Sequence, residues 1–194
     1  MANTKTGPRE YKTLAINNTV IIDPTKYPSK PDGWVMEAAD FSELSYFLGY
    51  KFDPRSMYTI FSTKNIGRGG HMESRSKMVT VISGMVYYCL VDMRPGEEQG
   101  KVCEFFLGEG EKSMGKSVLV PEGVIDYFVP VGGPAMTQGI GNRPYNKFDN
   151  NITLDMFDPE LGLKKLPKEV VHHVPEGENL SILSLKQFMK ISNE

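Results

Sequence analysis

From Tyr58 onward the chain breaks at nearly regular intervals into short runs rich in β-branched and aromatic residues. YTIFSTK, KMVTVISG, MVYYCLVDM, KVCEFFLGEG, KSVLVPEG and VIDYFVPVGGP follow one another, most of them ended by glycine or proline. Strand signals recurring roughly every 8 to 14 residues with turn residues between them leave no room for long helices. They predict an all-β chain, folded as a sandwich, barrel or jelly roll. MVYYCLVDM and KMVTVISG read as two strands around Gly84, and VIDYFVPVGGP reads as a strand ended by its glycines.

Outside this block the pattern is less uniform. Residues 1–11 are polar and read as loose. LAINNTVII (Leu14–Ile22) alternates and reads as one strand, and DPTKYPSKPDG reads as a loop because of its prolines and glycine. DFSELSYFLG predicts a short helix capped by Asp40 or Ser42. FDPELGLKKLPKEVVHHVPEGEN reads as an extended crossing segment. Ile182, Leu183, Leu185, Phe188, Met189 and Ile191 then fall at helical spacing, which predicts a C-terminal helical segment over about 178–194. The whole of 1–194 is expected to form one domain, an all-β jelly roll with short peripheral helices.

Charge excludes some partners. The chain carries 22 basic and 24 acidic side chains, for a formal net charge of −2. No basic block offers a footprint for a phosphate backbone, so nucleic acid is not an expected partner. No run approaches the ~20 apolar residues of a membrane span, and MANTKTGPRE lacks the apolar core of a signal peptide. A cytoplasmic location and no membrane partner are the expectation. Cys89 and Cys103 lie in apolar or β-rich runs with no CxxC spacing, so two reduced thiols are expected and a thiolate zinc site is not.

His71 is the most suggestive candidate for chemistry. It follows Arg68-Gly69-Gly70, where the backbone is open to close approach. A histidine can take a proton beside a carbonyl near neutral pH, and Arg68 and Lys77 could hold a phosphate or an enolate oxygen. A hydrogen-bonded structural histidine is the other reading. His172 and His173 are adjacent in a proline-flanked segment and read as surface residues. A metal-binding arrangement would need further histidines on later strands. The sequence offers His71-Met72-Glu73 and then no histidine before 172, so no metal and no cofactor are expected. Asp126 sits inside an apolar run. By alternation it shares a face with Val124 and Phe128, so it lies either in a pocket or on the surface.

These pieces together resemble a known family. GRGGHMES, KMVTVISGMVYYCLVDMRPGEEQGKVCEFFLGEG and SVLVPEGVIDYF resemble the dTDP-4-dehydrorhamnose 3,5-epimerases, in the same order. Arg68–His71 matches the family's arginine-glycine-x-histidine segment. Lys77–Val86 matches its K-x-V-x-V-x-x-G-x-V strand pair, Val91–Arg94 its V-D-x-R turn, and Val120–Gly123 its I-P-E-G segment. DGWVMEAADF places Gly33 and Glu37 on the family's glycine and glutamate, and FDPELGL resembles its D-P-x-L-G-I stretch. The resemblance spans roughly residues 30–187. It implies a cupin-like β-sandwich barrel and a homodimer. The implied activity is metal-independent proton removal and return beside the 4-keto group of a nucleotide-linked hexose.

The resemblance assigns His71 as base, Lys77 as support for the enolate and Arg68 as the arginine near the phosphates. Gly33 and Glu37, on the family's glycine and glutamate, are candidate substrate-binding residues, and Tyr127 is a further candidate. The chain also departs from the pattern. Asp126 stands where the family has a histidine, Gln138 or Gly139 where it has its tyrosine acid, and Asp32 where it has an arginine. The carboxylate that orients the base falls on Gln187. Asp126 is a candidate to replace that carboxylate, and Tyr87, Tyr88, Tyr127 and Tyr145 are candidate donors. The first expectation is therefore an epimerase or isomerase of a sugar nucleotide. A different metal-independent enzyme on a small oxygenated substrate, with His71 and Asp126 as its acid–base pair, remains open, as does a non-catalytic carbohydrate-binding module.

Overall fold

Strict alternation along two long strands builds the molecule. The computed structural model describes residues 9–24, 26–29, 33–145, 152–173 and 181–193. In chain order its elements are β1 (Glu10–Thr13), β2 (Val20–Asp23), β3 (Lys26–Ser29), β4 (Gly33–Met36), α1 (Phe41–Leu48), β5 (Ser56–Ser62), β6 (Ile66–His71) and β7 (Lys77–Asp92). There follow β8 (Val102–Gly108), β9 (Ser117–Val120), β10 (Val124–Gly141), β11 (Ile152–Leu154), β12 (Val171–His172), β13 (Ser181–Leu183) and α2 (Leu185–Ser192). Nine of the described strands form one sheet around the antiparallel pair β7–β10. On one side of that pair, β9 and β8 share the length of β7. On the other side, β6 and β5 share the length of β10. Two long strands that each change neighbour along their length roll the sheet into a jelly roll.

Opposite faces of β7 and β10 bury separate cores. Val86, Tyr88, Leu90, Val124 and Phe128 pack inside the roll with Phe105, Leu107 and Val118. Tyr87, Cys89, Val91, Ile125, Tyr127 and Val129 face the other way, where Leu154, Leu161, Leu185 and Phe188 cover them. A third cluster seats Leu44 and Leu48 of α1 on Val20, Ile22, Met78 and Leu119. Helix α1 starts at Asp40, whose carboxylate accepts from the Ser42 and Glu43 amides, and stops at Gly49 in the left-handed conformation. No helix among the described residues is long and apolar enough to cross a membrane. Both cysteines are free thiols.

Several local expectations are corrected. LAINNTVII is not one strand. Asn18 takes a positive φ of 63°, and a turn closed by the Leu14 amide on the Thr19 carbonyl folds β1 back on β2. The loose N-terminus ends earlier than expected, since Glu10 and Tyr11 pair with Asp23 and Ile22; residues 1–8 lie outside the described set. Within DPTKYPSKPDG, Lys26–Ser29 pairs with Gly33–Met36 as a hairpin, while residues 25 and 30–32 lie outside the described set. Gly84 and the Gly132-Gly133-Pro134 stretch do not end strands. They fall where the β7–β10 register shifts, so bulges absorb them. The C-terminal helix begins only after Ser184, because Ser181–Leu183 pairs in parallel with β11. Of the crossing segment, residues 174–180 lie outside the described set.

One bulge aims the end of β6. The β6–β10 register slips between Asp126 and Tyr127, so that Asp126 faces His71 and Tyr127 faces Gly69. Gly69 has a φ of 99°, and a Cβ there would strike the Asp126 carbonyl oxygen. The bulge therefore requires glycine. Gly69→Ala is expected to lower unfolding stability by about 1–3 kcal/mol, measured by denaturant melts; a stability equal to the parent's would contradict this.

Candidate functional site

A cavity of about 360 Å³ opens on the inner face of the roll. Tyr58 and Ile60 reach it from β5, Arg68 and His71 from β6, Lys77 and Val79 from β7, and Asp126, Phe128 and Thr137 from β10. Tyr58 with Ile60, Lys77 with Val79 and Asp126 with Phe128 follow from alternation, because residues two apart on a strand share a face. Arg68 and His71 are three apart and share the cavity because the β6–β10 register slips between them. Glu73, Arg75, Tyr145 and His173 complete the wall from the intervening segments.

Lys77 is the hub of the charge arrangement. Its ammonium binds Asp126 Oδ1 at 2.7 Å and also Glu73. The second oxygen of Glu73 takes Arg75 Nε at 2.5 Å. The second oxygen of Asp126 accepts the Tyr88 hydroxyl, also at 2.5 Å. Lys77 is 5% exposed, and Asp126 is 8% exposed. Burial opposes the Lys77 charge, but Asp126, Tyr58 and Glu73 raise its pKa well above the ordinary lysine range. Burial likewise opposes the Glu73 charge, and Lys77 and Arg75 overcome it and hold the carboxyl below its usual range. Lys77 is thus a permanent cation. An ammonium has three N–H donors; among the described residues Asp126 and Glu73 engage two of them.

His71 is held differently. Its Nδ1 lies 2.9 Å from the Thr153 hydroxyl on β11, and the Ile152 backbone also bonds the ring. Burial pushes its pKa below the ordinary 6.5, against the pull of Ile152 and Asp126, so the ring is neutral at neutral pH. Arg68 donates from Nε to Ser62 Oγ at 2.6 Å and has no carboxylate partner among the described residues. Among the described residues, three cations and two carboxylates line the cavity, an excess of positive charge.

Tyr58 lies across the backbone of Gly139, its cross-strand partner. Burial raises its pKa, partly offset by Lys77, so it stays protonated. The Arg75 guanidinium sits 5.3 Å from the centre of its ring.

The structure thus brings His71, Lys77, Asp126 and Arg68 into one cavity. It does not bring Tyr127 there. The Tyr127 ring points to the opposite core, with its hydroxyl against Gly67 and its face stacked on His172 at 5.7 Å. Glu37 forms an ion pair with Arg9 at 2.6 Å and does not line the cavity, and Gly33 pairs with Ser29 in the β3–β4 hairpin. Asp126 does not hydrogen-bond His71, since Lys77 and Tyr88 take its oxygens; Thr153 meets the ring instead. Gln187 caps α2, its side chain accepting from the Ser184 amide. The histidine pair is not a surface feature: both are half-buried, and His173 lines the cavity. Tyr58 and Thr153 did not stand out in the sequence. Alternation within YTIFS was the available signal for Tyr58; nothing local marked Thr153.

Fold and site define a jelly-roll protein with a charged, histidine-bearing cavity. The profile of the dTDP-4-dehydrorhamnose 3,5-epimerase family matches residues 13–186, and the chain belongs to that family, whose members are isomerases acting on nucleotide sugars. Among solved structures it is similar to NovW of Streptomyces spheroides, described as a 4-keto-6-deoxy sugar epimerase. The TM-score is 0.81 at 18% identity, covering 96% of this chain and 92% of that one. It is also similar to the dTDP-6-deoxy-D-glucose-3,5-epimerase of Legionella pneumophila, solved with dTDP-4-keto-L-rhamnose. There the TM-score is 0.78 at 21% identity, covering 92% and 93% of the two chains. The Mycobacterium tuberculosis epimerase gives a TM-score of 0.79 at 20% identity, covering 95% and 92%. These likenesses speak to the fold. No curated protein matches the sequence.

Removing Lys77 would leave two buried carboxylates short of a cation. Lys77→Met is expected to cost about 3–5 kcal/mol of unfolding stability, measured by urea melts at neutral pH. A loss below about 1 kcal/mol, the range of a surface pair, would contradict the buried-hub description.

Proposed function

We propose that this chain is an epimerase of a dTDP-linked 4-keto-6-deoxy hexose, with His71 as the base that removes the proton beside the keto group. The observation that carries the reading is the pairing of a neutral, backed histidine with a permanent ammonium in one cavity. In the tautomer this reading requires, the proton sits on Nδ1 beside Thr153, and Nε2 keeps its lone pair as the proton acceptor. As the proton leaves, negative charge grows on the keto oxygen. The third N–H of Lys77 is placed to receive that charge in a site sheltered from water. Arg68, with no carboxylate partner among the described residues, takes the diphosphate. In this reading Asp126 positions Lys77 and does not act on the substrate.

Two further proposals follow from the same reading. The protein is cytoplasmic, where sugar nucleotides are used. It is also a homodimer, a state supported by the apolar outer face of β5 and β10. Met57 and Phe61 are 68% and 60% exposed there, beside Met136. Light scattering after gel filtration is expected to give twice the chain mass; a monomer at micromolar concentration would contradict the dimer.

His71→Asn is expected to lower exchange of the substrate's α-proton with deuterated water by about a hundredfold or more. Retained exchange would exclude His71 as base. The base must be neutral to act, and its pKa lies below 6.5. Parental kcat/KM is therefore expected to stay flat down to about pH 6.5 and to fall at lower pH. The same sign holds for stability. The His71 contribution is present above 6.5 and is lost as pH falls through the lowered folded-state value.

A further inference from the structure

We propose that Tyr58 is the proton donor of this site, delivered from β5 in place of a phenol on β10. The proposal rests on the epimerase reading above and supplies its second proton-transfer group.

The position where the resemblance expects a tyrosine holds Gln138 or Gly139. Gly139 pairs directly with Tyr58 across the β10–β5 ladder. Residues opposite each other on paired strands project to the same face, so a side chain at 139 would enter the space that Tyr58 fills. The contact is complete: a Cβ on residue 139 would sit within the Tyr58 ring, against Cζ and the hydroxyl. Glycine at 139 is therefore the space that admits this phenol, and the two positions act as an exchange between neighbouring strands.

The other candidate phenols are engaged or face elsewhere. The Tyr88 hydroxyl donates a hydrogen bond to Asp126, and the Tyr87 hydroxyl donates one to Glu104 at 2.8 Å on the opposite face. Tyr127 is buried in the second core. Tyr145 is 53% exposed at the cavity wall, where water competes for its hydroxyl, whereas Tyr58 is sheltered. Tyr58 lines the cavity with His71 and Lys77, and its hydroxyl makes no hydrogen bond to the described residues. Burial keeps it protonated in the resting site; Lys77 and Arg75 favour a transient phenolate, against Glu73 and Asp126.

The steps balance. His71 Nε2 takes the α-proton, and the C–H electron pair becomes the C=C bond of an enolate as the keto oxygen gains the charge beside Lys77. The C=C pair then takes the proton of Tyr58 on the opposite face of the carbon, and the O–H pair stays on the phenolate oxygen. A proton passing through solvent from imidazolium to phenolate restores both groups. Nothing is oxidised or reduced, and the product differs from the substrate only in configuration.

The test uses dTDP-4-keto-6-deoxyglucose in deuterated water, with the full chain and Tyr58→Phe. The variant keeps the ring, and its melting temperature is expected to stay near the parent's. It should retain His71-dependent deuterium uptake, because the base still works, while epimer formation falls by about a hundredfold or more. Epimer formation within about threefold of the parent would overturn the assignment. A parent that neither exchanges nor epimerises removes the epimerase reading, and this proposal with it. The reciprocal variant, Tyr58→Gly with Gly139→Tyr, is expected to recover epimerisation lost in Tyr58→Gly alone. A folded double variant no better than that single one also counts against the proposal.

Discussion

A single ammonium joins the chemistry of this molecule to its fold. Lys77 begins β7, pairs by backbone with β9 and β10, and sends its side chain between Glu73 and Asp126. Placing three charges almost out of water is costly, and only mutual pairing offsets that cost. Each carboxylate therefore spends its second oxygen as well, Glu73 on Arg75 and Asp126 on Tyr88. The result ties the segment after β6 to the start of β10 in the wall of the cavity. Because Asp126 is committed to this cluster, another group must hold His71, and Thr153 of β11 does so.

That division separates the two functions that a histidine–carboxylate pair would combine. A carboxylate beside the base would raise its pKa and stabilise the imidazolium. A hydroxyl fixes the ring without adding charge, and burial then depresses the pKa. In the proposed reading His71 is thus a weaker base with a fixed orientation, and the nearby cation favours the enolate over the neutral ketone. This arrangement suits removal of an already acidic α-proton. It fits the epimerase reading better than an acid–base pair of His71 and Asp126, because Asp126 meets Lys77 and Tyr88.

Much of the fold was legible because period-2 alternation is local. VIDYF and MVYYCLVD declared their two faces, and both faces are buried as their apolar content required. Turn chemistry was less legible. Asn17-Asn18 hid a hairpin inside an apparent strand, and Gly84 marked a bulge where a break was expected. The family's ordered segments located His71, Lys77 and Arg68, whose cavity positions depend on their own strands. The partners lay beyond that reach. Thr153 is 82 positions from His71, and Tyr58 meets Gly139 only because β5 runs beside β10. Alternation tells which face a side chain takes, while strand order decides whom it meets there. Tyr127 shows the same limit from the other direction, since it follows Asp126 and so points to the opposite core.

The account makes one claim that a liganded structure can test directly: that this cavity holds a keto sugar between base and ammonium. The measurement is a crystal structure of the protein with a dTDP-linked sugar. The predicted result places the sugar's α-carbon within about 3.5 Å of His71 Nε2, its C4 oxygen on Lys77 and its diphosphate on Arg68. A sugar nucleotide bound with its hexose outside the cavity, or with His71 and Lys77 on different parts of the ligand, would contradict the account.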